Sequence, residues 1–399
     1  MRIVLLHFYS RTPNPIYDQI SASLRRRGHC VWVGQPGFED DFVFRDASGI
    51  VASIKGFSRP LTYNIPPAFL RLLNGARKRF IGARMLLRIA RFLRTERFDI
   101  IQVNLTSMAW ILRAFSGGSA HYVYDVRQIN EKVRPYNWWQ NIHERLVGTE
   151  MTINAGFVFD HACFCHADAA RRVLGEKWES RGTVVPVGVD GRFLGYPLRR
   201  LNGDASLNVV RFVYIGGLDR DRTLEQLLEA ADALRRTTER FHLDLVGPDL
   251  SSGYYAQLIQ SLGLGAYVGT KDAVKYGEIP ELLAHYDVGV AYVPDRPTWH
   301  YQPATKVIEY RAFGLPIIST DVSSHREYVQ DNVNGFLVAD SPEAISRAME
   351  RLVVEPSTLP RLKKNASAMR SGVTWDDIGA MYDEDVYRRL ARGKLSCDE

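Results

Sequence analysis

A lysine and a glutamate stand three residues apart at Lys306 and Glu309, and Gly314 and Pro316 follow them. On a helix this spacing places both side chains on one face, and the glycine and proline end the helix. A carboxylate there can accept two ribose hydroxyls, and an ammonium can meet a phosphate. The pair therefore indicates a nucleotide site, with an ordinary surface ion pair as the alternative.

Two glycines, Gly216 and Gly217, lie where a predicted strand meets a predicted helix, and Arg220 and Arg222 follow them. Glycines let backbone N–H groups approach a phosphate closely, and arginines beside a helix N-terminus supply fixed positive charge. The segment therefore indicates a pyrophosphate site. Taken alone, a glycine turn with two solvated arginines explains it equally well.

Short apolar runs alternate with helical patterns and must position these residues. The predicted strands are Arg2 to Leu6, Cys30 to Gly34, Phe98 to Val103, His121 to Val126, Ala162 to Cys165, Val209 to Ile215, His242 to Val246, Val288 to Val293 and Pro316 to Ser319. This pattern predicts an α/β fold with two Rossmann-like, doubly wound domains that face each other across a cleft, residues 1–194 and 209–375. A polar linker is expected at 195–208, and a C-terminal helix at about 376–399 is expected to pack back on the first domain.

The sequence lacks the motifs of several enzyme classes. The sequence contains no Gly-x-Gly-x-x-Gly, no P-loop and no Gly-x-Ser-x-Gly elbow, which counts against dinucleotide enzymes, P-loop hydrolases and α/β-hydrolases. His161, Cys163, Cys165 and His166 suggest zinc, but strand alternation leaves the ligand set incomplete, so a core strand is the favoured interpretation. We expect no metal site and no cofactor.

Composition and charge describe an ordinary globular chain of 399 residues with 46 % hydrophobic residues and a net charge of +6. No apolar run approaches the roughly 18 residues of a spanning helix, and the first residues are too short for a signal-peptide core. Four cysteines fit a reducing compartment, so a cytoplasmic location is expected. Residues 1–200 carry 29 basic and 16 acidic side chains, a charge of +13, which leaves −7 for the rest. The basic half therefore suggests an anionic partner.

The strongest basic segment runs from Arg71 to Arg97, with nine basic residues and one acidic residue. Arg77, Arg84, Arg88 and Arg91 recur on one helical face, and Trp138 and Trp139 add an aromatic pair suited to an interface. These features favour contact with an anionic membrane surface. The alternative is a solvated helix whose apolar stripe faces its own sheet, and nucleic acid is not expected because no binding motif accompanies the charge.

The order and spacing of these segments resemble the retaining glycosyltransferases of the GT-B fold, in particular glycosyltransferase family 4, also called group 1. The resemblance rests on the opening strand, residues 98–103, 123–127, 185–190, 216–217, 242–247, 278–283, 286–290, 306–316 and 334–338. It implies a nucleotide-diphosphate sugar bound mainly to the second domain, with Glu309 on the ribose hydroxyls. Lys306 and Arg222 are then expected on the diphosphate, and these three residues form the predicted catalytic set.

The same resemblance implies further site residues. The expected donor-binding residues are Gly216, Gly217, Arg220, Gly247, Val274, Tyr301, Thr305 and Tyr310, and the expected acceptor-side residues are Tyr9, Asn104, Asp125 and Arg127. The sequence also departs from the family pattern. The first of two glutamates eight residues apart falls on Tyr301, the loop arginine and lysine fall on Gly217 and Arg222, and a first-domain histidine falls near Asn104.

The resemblance further implies a metal-independent reaction that retains the anomeric configuration. Asp219 and Asp221 form an Asp-x-Asp like that of metal-dependent transferases, but an acidic pair before a helix is more typical of a helix start. We therefore predict sugar transfer to a lipid-linked or polysaccharide-precursor acceptor at the cytoplasmic face of the inner membrane. A sugar-nucleotide epimerase and a catalytically degenerate nucleotide-sugar binding protein remain the alternatives.

Overall fold

The computed structural model describes residues 1–8, 14–38, 41–55, 67–105, 107–129, 138–197 and 209–393, with side chains from 82 and from 145 onward in the helices that begin at 67 and 138. Contacts divide the chain into two units. Unit 1 comprises the described residues of Met1–Ile129, Arg134–Pro186 and Trp375–Glu399, and unit 2 comprises those of Val187–Thr374.

The two units are built from alternating strands and helices. In chain order the strands are β1 (Arg2–His7), β2 (Cys30–Pro36), β3 (Asp41–Arg45), β4 (Ile50–Lys55), β5 (Ile100–Asn104), β6 (His121–Val126), β7 (His161–Phe164), β8 (Gly182–Val184), β9 (Val210–Ile215), β10 (Phe241–Val246), β11 (Val268–Lys271), β12 (Val288–Ala291), β13 (Ile317–Thr320) and β14 (Gly335–Val338). The helices are α1 (Pro15–Arg26), α2 (Pro67–Glu96), α3 (Trp110–Ser116), α4 (Trp138–Ile153), α5 (Ala167–Leu174), α6 (Gly191–Gly195), α7 (Glu225–Leu234), α8 (Tyr254–Ser261), α9 (Ile279–Leu283), α10 (Pro297–Tyr301), α11 (Thr305–Phe313), α12 (Pro342–Val354), α13 (Thr358–Ala368), α14 (Trp375–Met381) and α15 (Arg388–Ala391).

Unit 1 contains a sheet of eight described strands in the order β4-β3-β2-β1-β5-β6-β7-β8. The six strands from β2 to β8 in this order are parallel, and β1 lies between β2 and β5. The strand β1 is a continuous apolar run, and its residues from Ile3 to Leu6 are fully buried, as expected for a central parallel strand. The helix α1 then begins at Pro15, because the side chain of Asn14 accepts a hydrogen bond from the Ile16 N–H.

The sequence did not predict β3 and β4, which extend the sheet of unit 1 as antiparallel strands. A tight turn joins them, in which the Asp46 N–H donates to the Gly49 carbonyl at 3.0 Å. Gly49 has a φ of 130°, which only glycine adopts readily. The hairpin therefore adds two strands at the edge without another crossover helix.

Unit 2 contains six described strands, all parallel, in the order β11-β10-β9-β12-β13-β14. The chain runs outward from β9 to β10 and later returns to β12 on the other side of β9. Ligands of such sheets bind where the strand order reverses, outside the carboxyl ends of the strands. The loops after β9 and β12 therefore lie at the expected ligand position. The α/β fold class predicted from the sequence is confirmed.

The division between the units differs from the predicted boundary at residue 194. It falls between Pro186 and Val187, because Val189 and Phe193 are buried in the core of unit 2 together with α11. Residues 195–197 are the only described part of the predicted linker. The C-terminal segment from Trp375 belongs to unit 1, where Asp376 on α14 pairs with Arg26 of α1.

The segment from His161 to His166 forms β7 and the N-cap of α5. Cys163 and Cys165 are buried, the His161 Nε2 lies 2.8 Å from the Thr183 hydroxyl, and the His166 ring accepts from the Asp168 N–H as a helix cap. Within the described ranges, no cluster of three or more His, Cys, Asp or Glu side chains could hold a metal ion. Every helix in that part of the chain is too short or too polar to cross a membrane.

Candidate donor site in unit 2

Two glycine loops meet at the carboxyl ends of β9 and β10. Gly216 follows β9 and Gly247 follows β10, with φ angles of 154° and 156°. A β-carbon added to Gly247 would lie 1.9 Å from the Gly216 carbonyl oxygen, so the two loops touch through backbone alone. The Leu218 N–H extends this contact by donating to the Pro248 carbonyl at 2.9 Å. The loop after β10 therefore holds the backbone of the predicted phosphate loop in place.

The acidic pair after the glycines starts a short helical turn. The Asp219 side chain accepts from the Asp221 N–H at 2.9 Å and caps the 3₁₀ turn Arg220–Arg222. Thr223 then takes a left-handed conformation with a φ of 48°. Asp219 is thus a helix cap, the role that its position before a helix favoured.

The two arginines of this turn lie against aromatic rings. The Arg220 guanidinium carbon is 4.0 Å from the ring centroid of Tyr254, and that of Arg222 is 4.7 Å from the ring of Trp299. Cation–π contacts contribute about 0.5–2 kcal/mol each, depending on how far the cation is desolvated. Both cations are therefore positioned beside the glycine loop without needing a carboxylate partner.

Lys306 lies on the first turn of α11 and is almost fully buried. Its ammonium donates to the Tyr292 carbonyl at 3.1 Å and sits 3.5 Å from the ring centroid of Tyr214. A β-carbon on Gly216 would lie 3.4 Å from the Nζ atom, so the ammonium touches the glycine loop. Burial, together with the Arg222 charge, keeps the pKa of Lys306 well below its usual range.

Glu309 lies one turn further along α11 and is 5 % exposed. Burial raises the pKa of its carboxyl group to about 7, although the Lys306 charge opposes the rise. Among the described residues, none donates a hydrogen bond to this carboxylate. A buried acceptor without a donor is expected where a ligand supplies the missing hydroxyls.

The start of α11 is anchored from β13 and the loop after it. The Ala304 N–H donates to His325 Nε2 at 3.2 Å, and His325 Nδ1 lies 2.7 Å from the Ser319 hydroxyl. Because Nε2 accepts, the ring proton is on Nδ1 and points to Ser319. Burial lowers the pKa of His325 to about 3, so the ring is neutral at physiological pH. Thr305, the first helical residue, is exposed.

Tyr310 was predicted to bind the donor, but the structure places its side chain in the core. Its side chain is fully buried, and its hydroxyl donates to the Val213 carbonyl at 3.2 Å and accepts from the Ile215 N–H at 3.0 Å. These bonds fasten α11 to β9, so the ring is part of the core and not of an open donor site. Val274 also packs against this core, half-buried, and Tyr301 is the half-buried last residue of α10.

Three of the four predicted acceptor-side residues, Asn104, Asp125 and Arg127, form a buried network in unit 1. The Asp125 carboxylate accepts from the Tyr17 hydroxyl at 2.8 Å, from Arg127 Nε at 3.0 Å and from the Tyr382 hydroxyl at 3.1 Å. The Asn104 side chain donates to the Asp125 carbonyl at 2.8 Å. Every one of these groups is satisfied inside the protein, so the network ties β6 to α1 and to the C-terminal segment.

Arg127 completes this network and is also not free for an acceptor. It donates to the carbonyls of Val185 and Pro186 at 3.2 and 3.3 Å and contacts the Tyr382 hydroxyl. Burial opposes its charge, but the Asp125 carboxylate outweighs burial and raises the pKa of Arg127 well above its usual value. The acceptor roles predicted for Asp125 and Arg127 are therefore corrected to structural ones. Tyr9 lies outside the described residues.

Sequence reasoning missed three aromatic residues and one histidine at this site: Tyr214, Tyr292, Trp299 and His325. Tyr292 supplies the carbonyl that holds Lys306, while its hydroxyl joins Thr223 and Asp340 at 3.0 and 2.8 Å. A usable signal existed for Tyr214, because it stands two residues before Gly216 on a predicted strand. No signal in the sequence marked His325 as the partner of Ala304.

Unit 2 therefore gathers three cations and one carboxylate at the carboxyl ends of β9 and β12. Arg220, Arg222 and Lys306 provide positive charge beside a loop with close backbone access, which suits two phosphates. Glu309 supplies a buried acceptor for hydroxyl groups. This set can bind a nucleoside diphosphate and can stabilise the charge that develops when such a group departs.

Comparison with known families supports the assignment of unit 2. Residues 207–369 match the family model described as glycosyl transferases group 1. A putative glycosyltransferase, EpsD, of Bacillus subtilis (strain 168) is 30 % identical over 179 residues, which are 43 % of this chain and 44 % of the relative. A D-inositol 3-phosphate glycosyltransferase of Streptomyces bingchenggensis is 28 % identical over 177 residues, 43 % of this chain and 38 % of the relative. The chain thus spans less than half the length of the curated relatives it matches.

Solved structures are similar over nearly the whole chain. Sucrose-phosphate synthase from Thermosynechococcus elongatus has a TM-score of 0.71 at 18 % identity and covers 98 % of this chain and 99 % of its own. Anabaena Alr3699/HepE in complex with UDP and glucose has a TM-score of 0.66 at 15 % identity, covering 96 % and 98 %. At these identities the similarity shows the fold alone, and the comparisons do not favour the epimerase or binding-protein alternatives. The chain therefore has the GT-B fold, and its residues 207–369 are similar to the group 1 glycosyl transferases.

Proposed function

We propose that this protein is a retaining glycosyltransferase that moves a sugar from a nucleotide-diphosphate sugar to a lipid-linked or polysaccharide-precursor acceptor. The observation that carries the proposal is the buried pair of Lys306 and Glu309 on α11, next to the Gly216 loop. An ammonium lies on one helix face with a carboxylate that receives no hydrogen bond from the described residues, and the two groups match the two ends of a ribose diphosphate.

In the proposed reaction, the bond between the sugar anomeric carbon and the diphosphate oxygen breaks, and a bond to the acceptor oxygen forms. The proton of the acceptor hydroxyl passes to the departing phosphate oxygen. Arg222 and Lys306 stabilise the negative charge on that phosphate, which lowers the barrier without a metal ion. Glu309 accepts hydrogen bonds from the ribose hydroxyls and thereby positions the donor.

A panel of nucleotide sugars tests the proposal, beginning with UDP-sugars. The expected result is transfer to an added acceptor or slow donor hydrolysis, with the anomeric configuration retained by NMR. Lys306→Met should reduce turnover at least tenfold, because a charge-assisted hydrogen bond contributes about 1.5–3 kcal/mol. An epimerised donor, or tight binding with no turnover under any acceptor, would support one of the alternatives instead.

We also propose that the protein contacts an anionic membrane surface through α2, because this helix carries many positive charges. Arg84, Arg88 and Arg91 are exposed, whereas Ile89 and Leu93 are buried. From residue 82 onward, the apolar stripe of the helix therefore packs inside unit 1, and these three arginines face outward. Each cation near an anionic bilayer contributes about 1 kcal/mol. The Trp138 and Trp139 side chains and that of Arg77 lie outside the described residues.

Vesicle sedimentation tests this surface. Arg84→Glu combined with Arg88→Glu should release the protein from vesicles that contain anionic lipid. A matched control is Arg171→Glu combined with Arg172→Glu, since these arginines are exposed on α5 of the same unit. Equal release by both pairs would indicate a general charge effect, and retention of the first pair at low salt would contradict the proposal.

A further inference from the structure

Tyr214 has a buried hydroxyl that its surroundings leave without a hydrogen-bond partner. The residue is fully buried near the end of β9, and within the described chain no atom pairs with its Oη atom. Burying a hydroxyl without a partner destabilises a protein, because the group loses its hydrogen bonds to water. Such an atom therefore calls for an explanation, and a site that lacks its ligand provides one.

The Tyr214 hydroxyl lies next to Gly216. A β-carbon on Gly216 would lie 3.1 Å from the Tyr214 Oη and 3.4 Å from the Lys306 Nζ. Both donors therefore border the same small space beside the Gly216 α-carbon, which we call the Gly216 recess. Glycine at this position leaves the recess open to a ligand atom.

The ring of the same tyrosine positions the neighbouring ammonium. The Lys306 Nζ lies 3.5 Å from the ring centroid, and the Tyr292 carbonyl takes one of its three N–H donors. Lys306 thus has donors left for a ligand, and the ring face stabilises its charge in a buried place. The Arg222 charge acts on both Tyr214 and Lys306, so all three groups are close to one another.

We propose that Tyr214 is a ligand-binding residue, whose hydroxyl donates to a phosphate oxygen of the bound nucleoside diphosphate while its ring holds the Lys306 ammonium beside that oxygen. The inference rests on the proposed function, because it assigns a further contact in the same donor site. The phenol and the ammonium both border the Gly216 recess, and the Arg222 charge acts on both. An anionic oxygen is the acceptor that satisfies both donors and is favoured by this charge.

The first test is Tyr214→Phe, which removes only the hydroxyl. UDP, ADP, GDP and dTDP are first titrated into the unaltered protein by calorimetry. The diphosphate that binds most tightly, its nucleoside and inorganic pyrophosphate are then each titrated into the variant. The variant should bind that diphosphate and pyrophosphate at least about tenfold more weakly, while the nucleoside binds as before. The melting temperature without ligand should stay the same or rise, because an unpaired buried hydroxyl is removed.

Tyr286→Phe is the matched control in unit 2, because its hydroxyl is fully used. It donates to Asp244 at 2.8 Å and accepts from Lys271 at 3.0 Å. This variant should show the opposite pattern, a lower melting temperature with unchanged diphosphate binding. Weaker binding of nucleoside and diphosphate alike by Tyr214→Phe, with a lower melting temperature, would indicate a structural role and overturn the inference.

A second variant separates the ring from the hydroxyl. Tyr214→Leu should weaken diphosphate binding beyond Tyr214→Phe, and this extra loss should vanish in a Lys306→Met background. Persistence of the extra loss there would refute the positioning role of the ring.

Failure of the inference and failure of the proposed function give different results. If none of the four diphosphates binds the unaltered protein, or if Lys306→Met binds them normally, the proposed function fails. The inference about Tyr214 then fails as well, because it rests on that function. If Lys306→Met loses binding while Tyr214→Phe retains it, only the inference about Tyr214 fails. A variant that binds the diphosphate normally but loses affinity for the nucleotide sugar alone would likewise overturn the phosphate contact.

Discussion

The ionisation of Glu309 gives the sharpest prediction for this site. Burial raises the pKa of the carboxyl group to about 7, and the ribose contact that we propose is strongest when the group is ionised. Donor affinity should therefore increase as pH rises from 6 to 8. About one-tenth of the carboxyl groups are ionised at pH 6 and about nine-tenths at pH 8, so the dissociation constant should fall roughly tenfold, equivalent to about 1.4 kcal/mol.

Two other titratable groups of the site, Lys306 and His325, must be considered in the dependence of donor affinity on pH. Lys306 loses its charge at a pH well below the usual range for lysine, so donor affinity should fall again on the alkaline side. His325 is neutral throughout this window, because the pKa of its ring is about 3. The acid limb of the profile therefore belongs to Glu309.

The assay is calorimetric binding of an intact nucleotide sugar, whose substituted phosphates have no titration of their own near neutral pH. Glu309→Gln keeps the size of the side chain and removes its titration, so its affinity should be low and flat between pH 6 and 8. Glu343→Gln, on the exposed face of α12, is the matched control and should keep the rise. A flat profile in the unaltered protein, or an unchanged acid limb in Glu309→Gln, would refute this reasoning.

Three further predictions concern metal, the network in unit 1 and the glycine loops. Addition of EDTA should change transferase activity less than twofold, because in the proposed reaction fixed cations of unit 2 stabilise the departing phosphate; a tenfold loss restored by Mg²⁺ would contradict this. Asp125→Ala should lower the free energy of unfolding of unit 1 by about 3–5 kcal/mol, because it leaves Arg127 buried and unpaired, with nucleotide binding by unit 2 unchanged; urea titration checks it. Gly247→Ala should abolish nucleotide binding because the added carbon meets the Gly216 carbonyl, whereas Gly265→Ala, with open space around it, should bind normally.

The sequence was most informative where a local pattern decides the structure. Short apolar runs marked β1, β9 and β13, because buried parallel strands are continuous apolar segments. The spacing of Lys306 and Glu309 likewise placed both on α11, since one helix face is fixed by period alone. These predictions needed no knowledge of distant parts of the chain.

The predictions that needed correction depended on distant partners. Asp125 and Arg127 alternate on β6 and after it in a way that suits a site at the carboxyl end of a strand. Their actual partner, Tyr382, lies about 250 residues later in the chain, and no local pattern reveals it. Tyr310 follows Glu309 directly, but it points about 100° round the helix and meets β9 instead of the site. Side-chain partners across a fold therefore limit what spacing can predict.

The C-terminal segment also constrains the order in which this protein takes shape during synthesis. The hydroxyls of Tyr382 and Tyr387 contact Asp125 and Gln102 in the interior of unit 1, and both tyrosines are translated after all of unit 2. The described residues of unit 2 all lie between Val187 and Thr374, so this unit can fold as soon as it leaves the ribosome. The earlier residues must wait, with a carboxylate and a guanidinium not yet covered, until translation reaches the final helices.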